Sequence, residues 1–220
     1  MSGSTRLVTV WDAPTRLFHW AIVVLVGFSW FSMREGWMEL HFLSGYTILT
    51  LLLFRLIWGF VGSDTARFGH FLASPMAALR HVAHIGKREP DREIGHNAAG
   101  GWMVLVLLAL LLVQAGTGLF SNDDVMTDGP LAHLVGKSRS DWFSYIHDKT
   151  FTLIEIAIVL HVAAVLTYAV LKRHDLVRPM LTGRKRLPAA LGAPRIASLW
   201  LAIPVLAVAA LVVVLLVNFA

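Results

Sequence analysis

Five predominantly apolar stretches, each close to the about 20 residues a helix needs to cross a bilayer, dominate this sequence, and a chain that carries five of them has few folds open to it. They run from Thr15 to Met33, His41 to Val61, Gly100 to Phe120, Thr150 to Leu171 and Ile196 to Phe219. In lipid, a single segment satisfies its own backbone N–H and C=O groups only as an α-helix. The expected fold class is therefore all-α, an integral membrane bundle of five transmembrane helices. The run before the first stretch lacks the features of a cleavable signal. Composition agrees: 56% of residues are hydrophobic and 15% charged, with a mean hydropathy of +0.66. That balance is far from a water-soluble domain.

Charge sets the expected orientation. The net charge of +5 and pI near 10.0 would suit a nucleic-acid binder, but the basic residues are sorted by loop rather than along one face. Fourteen Lys and Arg lie before the first stretch or, as Arg16, at its inner edge, between the second and third, and between the fourth and fifth, against four on the other side: Arg34, Lys137, Arg139 and Lys149. The positive-inside rule then places the N-terminus and both basic loops in the cytoplasm of a bacterial inner membrane and, with five crossings, the C-terminus in the periplasm. No nucleic-acid partner is expected. Cysteine is absent, which excludes disulfides, iron–sulfur clusters and covalent haem attachment through a Cys pair. Any haem is held non-covalently.

Between the second and third stretches, Ser74-Pro75 reads as an N-cap and first-turn pair that starts a short helix to about Ile85 on the cytoplasmic surface. On the other side, Ser121 to Asp148 reads as an aspartate-rich outer loop, either a dock for a basic soluble partner or a solvated connection. The fifth stretch has no ionisable side chain and reads as a lipid-facing anchor.

Ten histidines are many for 220 residues. His19, His41 and His161 fall in or at the edge of the apolar stretches, and His147 begins the fourth. His147 and His161 are fourteen residues apart, close to four helical turns, so they share one face about 21 Å apart along the axis. His19 lies near the inner start of the first helix and His41 near the outer start of the second, which gives each leaflet a pair: His19 with His161, His41 with His147. Two imidazoles on facing helices clamp a haem iron from both sides and leave no open position, an arrangement for electron transfer. Any one of these histidines alone reads as a core or interfacial residue satisfied by helix contacts. Four at matched depths favour paired ligands, because ionisable groups inside a membrane are rare and costly. His70, His81, His84, His133 and His174 fall in loops and read as solvated, and His96, just before the third helix, stays open between a place beside the inner haem or a quinone and a structural one.

Arg55 is the one basic residue inside a stretch, on the His41 face and about 21 Å inward. It reads as the counter-charge to a haem propionate, as a snorkelling side chain, or as both. Gly45, one turn from His41, either admits a porphyrin or lets helices pack. Glu155 reads as a proton or quinone group or as a locally paired carboxyl.

These residues resemble a known family. Val10-Trp11-Asp12-Ala13-Pro14-Thr15-Arg16-Leu17-Phe18-His19-Trp20 is similar to the opening of the prokaryotic cytochrome b561 family, which includes the b-type cytochrome subunits of nickel-iron hydrogenases. His41 with Gly45-Tyr46, Phe54-Arg55-Leu56-Ile57-Trp58-Gly59, Gly95-His96-Asn97 with Gly100-Gly101, then His147, His161 and the run from Asp175 to Lys185 extend the likeness over about residues 8 to 186. The resemblance implies a diheme domain over residues 1–186, with two haems b on His19, His41, His147 and His161, followed by a linker and fifth helix over 187–220 that depart from the usual four-helix core. The expected function is electron transfer between a quinone, ubiquinone or menaquinone, and a periplasmic c-type cytochrome or a membrane dehydrogenase subunit. A stand-alone superoxide:quinone oxidoreductase is the alternative, and a haem-free transporter or assembly factor a third.

Overall fold

The computed structural model describes residues 4–86, 91, 93–125 and 127–219. The elements run β1 (Thr5–Thr9), α1 (Ala13–Arg34), α2 (Met38–Val61), α3 (Phe68–Phe71), α4 (Pro75–Ala83), α5 (Ala98–Gly118), α6 (Lys137–Thr167), α7 (Val177–Thr182), β2 (Arg184–Pro188) and α8 (Leu199–Phe219). A π turn, Tyr168–Lys172, continues α6. Five helices, α1, α2, α5, α6 with its π extension, and α8, are long and apolar enough to cross a membrane. Only 11% to 33% of their most apolar windows is buried in protein, so most of their Leu, Val, Ile and Phe surface requires lipid to cover it. The chain is a multi-pass helical membrane protein.

Contacts divide the chain into two compact units. The first is Met1–Leu17, Leu56–Val106 and Ile158–Ala202; the second is Phe18–Arg55, Leu107–Ala157 and Ile203–Ala220. In the first, β1 and β2 form an antiparallel ribbon with Leu7 opposite Arg186. Its apolar residues, Val8 and Leu187, pack with Val10 and Trp11 into a buried cluster. The sequence alone showed only basic flanks here, because five-residue strands rich in Arg and Lys carry little hydropathy signal. Asp12 starts α1: its Oδ1 accepts from Thr15 N at 2.7 Å and its Oδ2 from Trp58 Nε1 at 3.1 Å. Pro14 sits in the first turn, where its missing N–H has no helical partner to lose. The short surface helix is present as α4, with Ser74 Oγ accepting from Ala77 N at 3.2 Å. The linker before α8 is tied to the end of α2: Arg195 N donates to Asp64 Oδ2 at 2.8 Å and Ala197 N to Ser63 Oγ at 2.8 Å. The Arg195 N–H holds the Asp64 carboxyl below its usual range, helped by the charges of His70, Arg195 and Arg67.

Two expectations are corrected. The helix of the fourth crossing does not begin near His147 or Thr150: α6 starts at Lys137, so the last part of the expected outer loop is helix. Polar residues stabilise this extension, with Ser140 Oγ donating to Phe120 O at 2.7 Å and Ser144 Oγ to Asn122 O at 2.9 Å, and an apolarity window does not register a polar helix that leaves the membrane. The fifth helix is more than an anchor. Within the second unit its Val213 is buried in a cluster with Leu49, Leu119 and Leu131, so one stripe packs on protein while Leu211, Val212, Val214 and Leu215 face outward.

Two outcomes are expected. Asp12→Ala removes the cap and leaves the buried Trp58 N–H without its acceptor, a loss of about 2–4 kcal/mol that thermal unfolding in detergent should show as a lower midpoint; an unchanged midpoint would count against this role. Asp64 has a depressed folded pKa, so its contribution is full above the ordinary carboxylate pKa of about 3.9 and is lost as pH falls through the lower folded value. Thermal midpoints measured from about pH 2 to about pH 7, which spans the carboxylate range, should fall at the acid end in the native chain and less so in Asp64→Asn.

Candidate functional site

The second unit brings two of the expected ligands together. His41, in the first turns of α2, and His147, in α6, face each other with ring centroids 6.3 Å apart and planes at 84°. Each ring is held at Nδ1 by a main-chain carbonyl of the preceding long helix. His41 Nδ1 lies 2.9 Å from Ser29 O on α1, and His147 Nδ1 lies 2.9 Å from Gln114 O on α5. A carbonyl only accepts, so in both bonds Nδ1 carries the proton and Nε2 keeps its lone pair. Hydroxyls stand beside both contacts, Ser29 Oγ at 3.1 Å from His41 Nδ1 and Thr117 Oγ1 at 3.4 Å from His147 Nδ1. Gly118 makes room for the second ring: a Cβ there would lie 2.9 Å from His147 Cε1.

This donor set fits the haem that the sequence leads one to expect. Ligating histidines commonly donate their other N–H to a carbonyl, which fixes the tautomer and the ring direction. Metal–imidazole bonds of about 2 Å put two ligating nitrogens on one ion about 4 Å apart, with each ring centroid a ring radius further out. The observed 6.3 Å between centroids is of that size. A Cβ on Gly45, one turn from His41, would meet nothing within 4 Å, so no neighbouring helix packs closely on it.

The other expected residues lie apart from this pair. His19 belongs to the second unit, half-buried with its ring edge-on to Trp20 at 4.8 Å; His161 belongs to the first unit and is also half-buried. Arg55 is 2% exposed, enclosed by protein rather than reaching for an interface, which removes the purely snorkelling reading. Glu155 is on the exposed face of α6 between exposed Leu153 and Ile156. His96 stands between Trp11 and Phe71, with centroids 4.6 Å and 4.7 Å away.

A polar cluster in the first unit escaped the sequence reading. Tyr168, at the start of the π turn and 7% exposed, bonds His81 of α4 through its hydroxyl and accepts from Asn97 Nδ2 at 2.9 Å. Lys172 stands over the Tyr168 ring at 5.6 Å, and His174, Asp91 and Lys185 continue the polar groups, with Lys185 Nζ 2.7 Å from Asp91 Oδ1. His81 reads as solvated when its segment is taken for a loop. The available signal was its place on a capped helix, together with a tyrosine seven residues after His161 on the same α6 face.

The prokaryotic cytochrome b561 family model matches residues 10–183. A probable Ni/Fe-hydrogenase B-type cytochrome subunit of Cupriavidus necator is 24% identical over 218 residues, covering 82% of this chain and 87% of the relative. Similar subunits of Rhodobacter capsulatus, covering 81% of both chains, and of Escherichia coli K12, covering 79% of this chain and 88% of the relative, are each 23% identical. No solved structure matches the chain.

Proposed function

The chain belongs to the prokaryotic cytochrome b561 family, and we propose that this b-type cytochrome holds two haems and passes electrons between a membrane quinone and a redox protein on the side away from its basic loops. The observation that carries this reading is the His41–His147 pair, two facing imidazoles with Nδ1 bonded to a carbonyl and Nε2 left to ligate. Haem b supplies one-electron chemistry that no side chain of this cysteine-free protein offers. Ser29 and Gln114 would orient the outer ligands, Gly118 would admit the His147 ring, and Gly45 would leave room for the macrocycle. The second haem, on His19 and His161, is proposed from their matched depth in the sequence. The buried Arg55 is proposed as the charge partner of one of its propionates, because a guanidinium away from water is stabilised by a carboxylate fork.

The charge bias supports a cytoplasmic N-terminus and a periplasmic C-terminus. The relatives named as hydrogenase subunits support a membrane-associated hydrogenase or dehydrogenase as partner, with a periplasmic c-type cytochrome as the other candidate. Ubiquinone or menaquinone would be the lipid-phase carrier.

Haem content tests the reading directly. A pyridine-haemochrome assay on the purified chain should give two haems b; His41→Ala and His147→Ala should each lose the same one, and His19→Ala and His161→Ala the other. A single haem in the native chain would end the two-haem proposal. Arg55→Leu should lower the potential of the His19/His161 haem by on the order of 60 mV, the one-electron equivalent of a tenfold change in equilibrium, since a nearby positive charge favours the reduced state. Redox titration of the two haems checks it: a shift confined to the His41/His147 haem would reassign Arg55.

A further inference from the structure

We infer that Tyr168 and His81 are a proton-transfer pair serving a quinone headgroup at the end of the bundle that carries the basic loops. This rests on the quinone reading above and adds to it the path of the proton. The hydrogen bonds fix its direction. Gly100 N donates to Asn97 Oδ1 at 2.8 Å, which orients that amide, and Asn97 Nδ2 then donates to the Tyr168 hydroxyl at 2.9 Å. With one lone pair so occupied, the phenol proton is directed at His81 Nε2, the hydroxyl's other partner. His81 therefore accepts at Nε2 and carries its own proton at Nδ1.

That order is a relay set to run outward. A proton received by the Tyr168 oxygen displaces the phenol proton onto His81 Nε2, and His81 Nδ1–H passes its proton to water. Each passage leaves every donor reversed, so before the next one the imidazole turns to water, exchanges its Nε2 proton for one at Nδ1 and returns, and the phenol O–H rotates back to it. For a quinol, QH2 → Q + 2 e⁻ + 2 H⁺: the O–H bonds break, the electrons leave singly for the haem proposed above, and two passages with one such reset between them remove the protons. Quinone reduction is the same sequence backwards.

Three features set this pair apart from an incidental contact. A buried tyrosine hydroxyl needs one partner; this one has two, and one titrates near neutral pH. The helix departs from α geometry here: the π turn Tyr168–Lys172 has both Tyr168 and Lys172 buried, and such turns are rare and concentrate at functional sites. The two rings also lie nearly parallel and end to end about this bond, with planes 10° apart and centroids at 6.2 Å. The charged and titratable neighbours are Lys172 over the phenol, His174 with its centroid 6.4 Å from that of Tyr168, Glu93 and Asp91, the latter facing His174 and Lys185, and Arg80 and His84 on α4 and its C-cap.

The test uses the purified haem-loaded protein mixed with decylubiquinol, with single-turnover haem reduction followed by stopped flow. The native rate should rise with pH, because His81 accepts only when neutral, and it should slow in D2O. Tyr168→Phe and His81→Gln should each lower it at least tenfold and flatten the pH profile, while haem content and the dithionite-reduced spectrum stay native. Glutamine keeps a hydrogen bond to the phenol but does not titrate, so it separates relay from latch. Added imidazole should restore His81→Ala and leave Tyr168→Phe slow. Reduced-minus-oxidised infrared difference spectra supply a second readout: imidazole and phenol bands in the native protein should disappear in the variants. Native rates, pH profiles and bands in Tyr168→Phe and His81→Gln would overturn the relay and leave a structural latch for α4. A native protein that decylubiquinol does not reduce would overturn the quinone reading, and the relay with it.

Discussion

An imidazole inside an apolar helix bundle needs a partner for its N–H, and in this protein that requirement decides what two histidines can do. His41 and His147 meet it in one way, each bonding at Nδ1 to a main-chain carbonyl of the long helix before its own. Ser32 Oγ lies 3.0 Å from the same Ser29 oxygen, while the Thr117 hydroxyl has its nearer acceptor in Val113 O, at 2.7 Å. A helical carbonyl has one lone pair to spare beyond its i+4 bond, so it takes the imidazole N–H without breaking the helix. Glycine at 118 follows from the same need, since a ring fixed by its Nδ1 cannot swing aside for a neighbour.

The first unit solves a different problem, that of ending helices and holding basic segments at the membrane edge. Asp12 caps α1 and holds Trp58, the β1–β2 ribbon buries Leu187 between arginines and lysines, and Asp64 with Ser63 fastens the linker into α8. Asp12, Asp64 and Ser63 are each a charged or hydroxyl side chain satisfying a main-chain N–H that lipid would leave unsatisfied. The unit's polar residues are therefore mostly structural, and Tyr168 stands out because its second partner is a base.

The crossings were legible in the sequence because an uninterrupted apolar run is the strongest signal a chain can carry, and α1, α2, α5 and α8 fall close to their expected ranges. So was α4, since Ser74-Pro75 announces a helix start whatever follows. The beginning of α6 was not legible: Lys137 to Asp148 is helical through local bonds such as Ser140 to Phe120, and those depend on how the chain folds back. The pairing of His41 with His147 followed from depth alone, whereas the carbonyls that orient them did not, because the partner of a ring nitrogen is a three-dimensional fact. His81 shows the same limit. In sequence it is one more polar residue between apolar runs, and its meaning appears only beside a tyrosine 87 positions away.

The contrast between these histidines is a contrast of partners. A carbonyl accepts and never donates, so an imidazole bonded to one at Nδ1 keeps a single tautomer, and the lone pair at Nε2 always points the same way. That constancy suits a metal ligand. A phenol both donates and accepts, so an imidazole bonded to one keeps its contact whichever of the two holds the proton, and neither state costs a lost hydrogen bond. That freedom suits proton transfer. On the proposed reading, the chain assigns electrons to the histidines whose partners are fixed and protons to the one whose partner can reverse, with the same side chain and about the same burial in both roles.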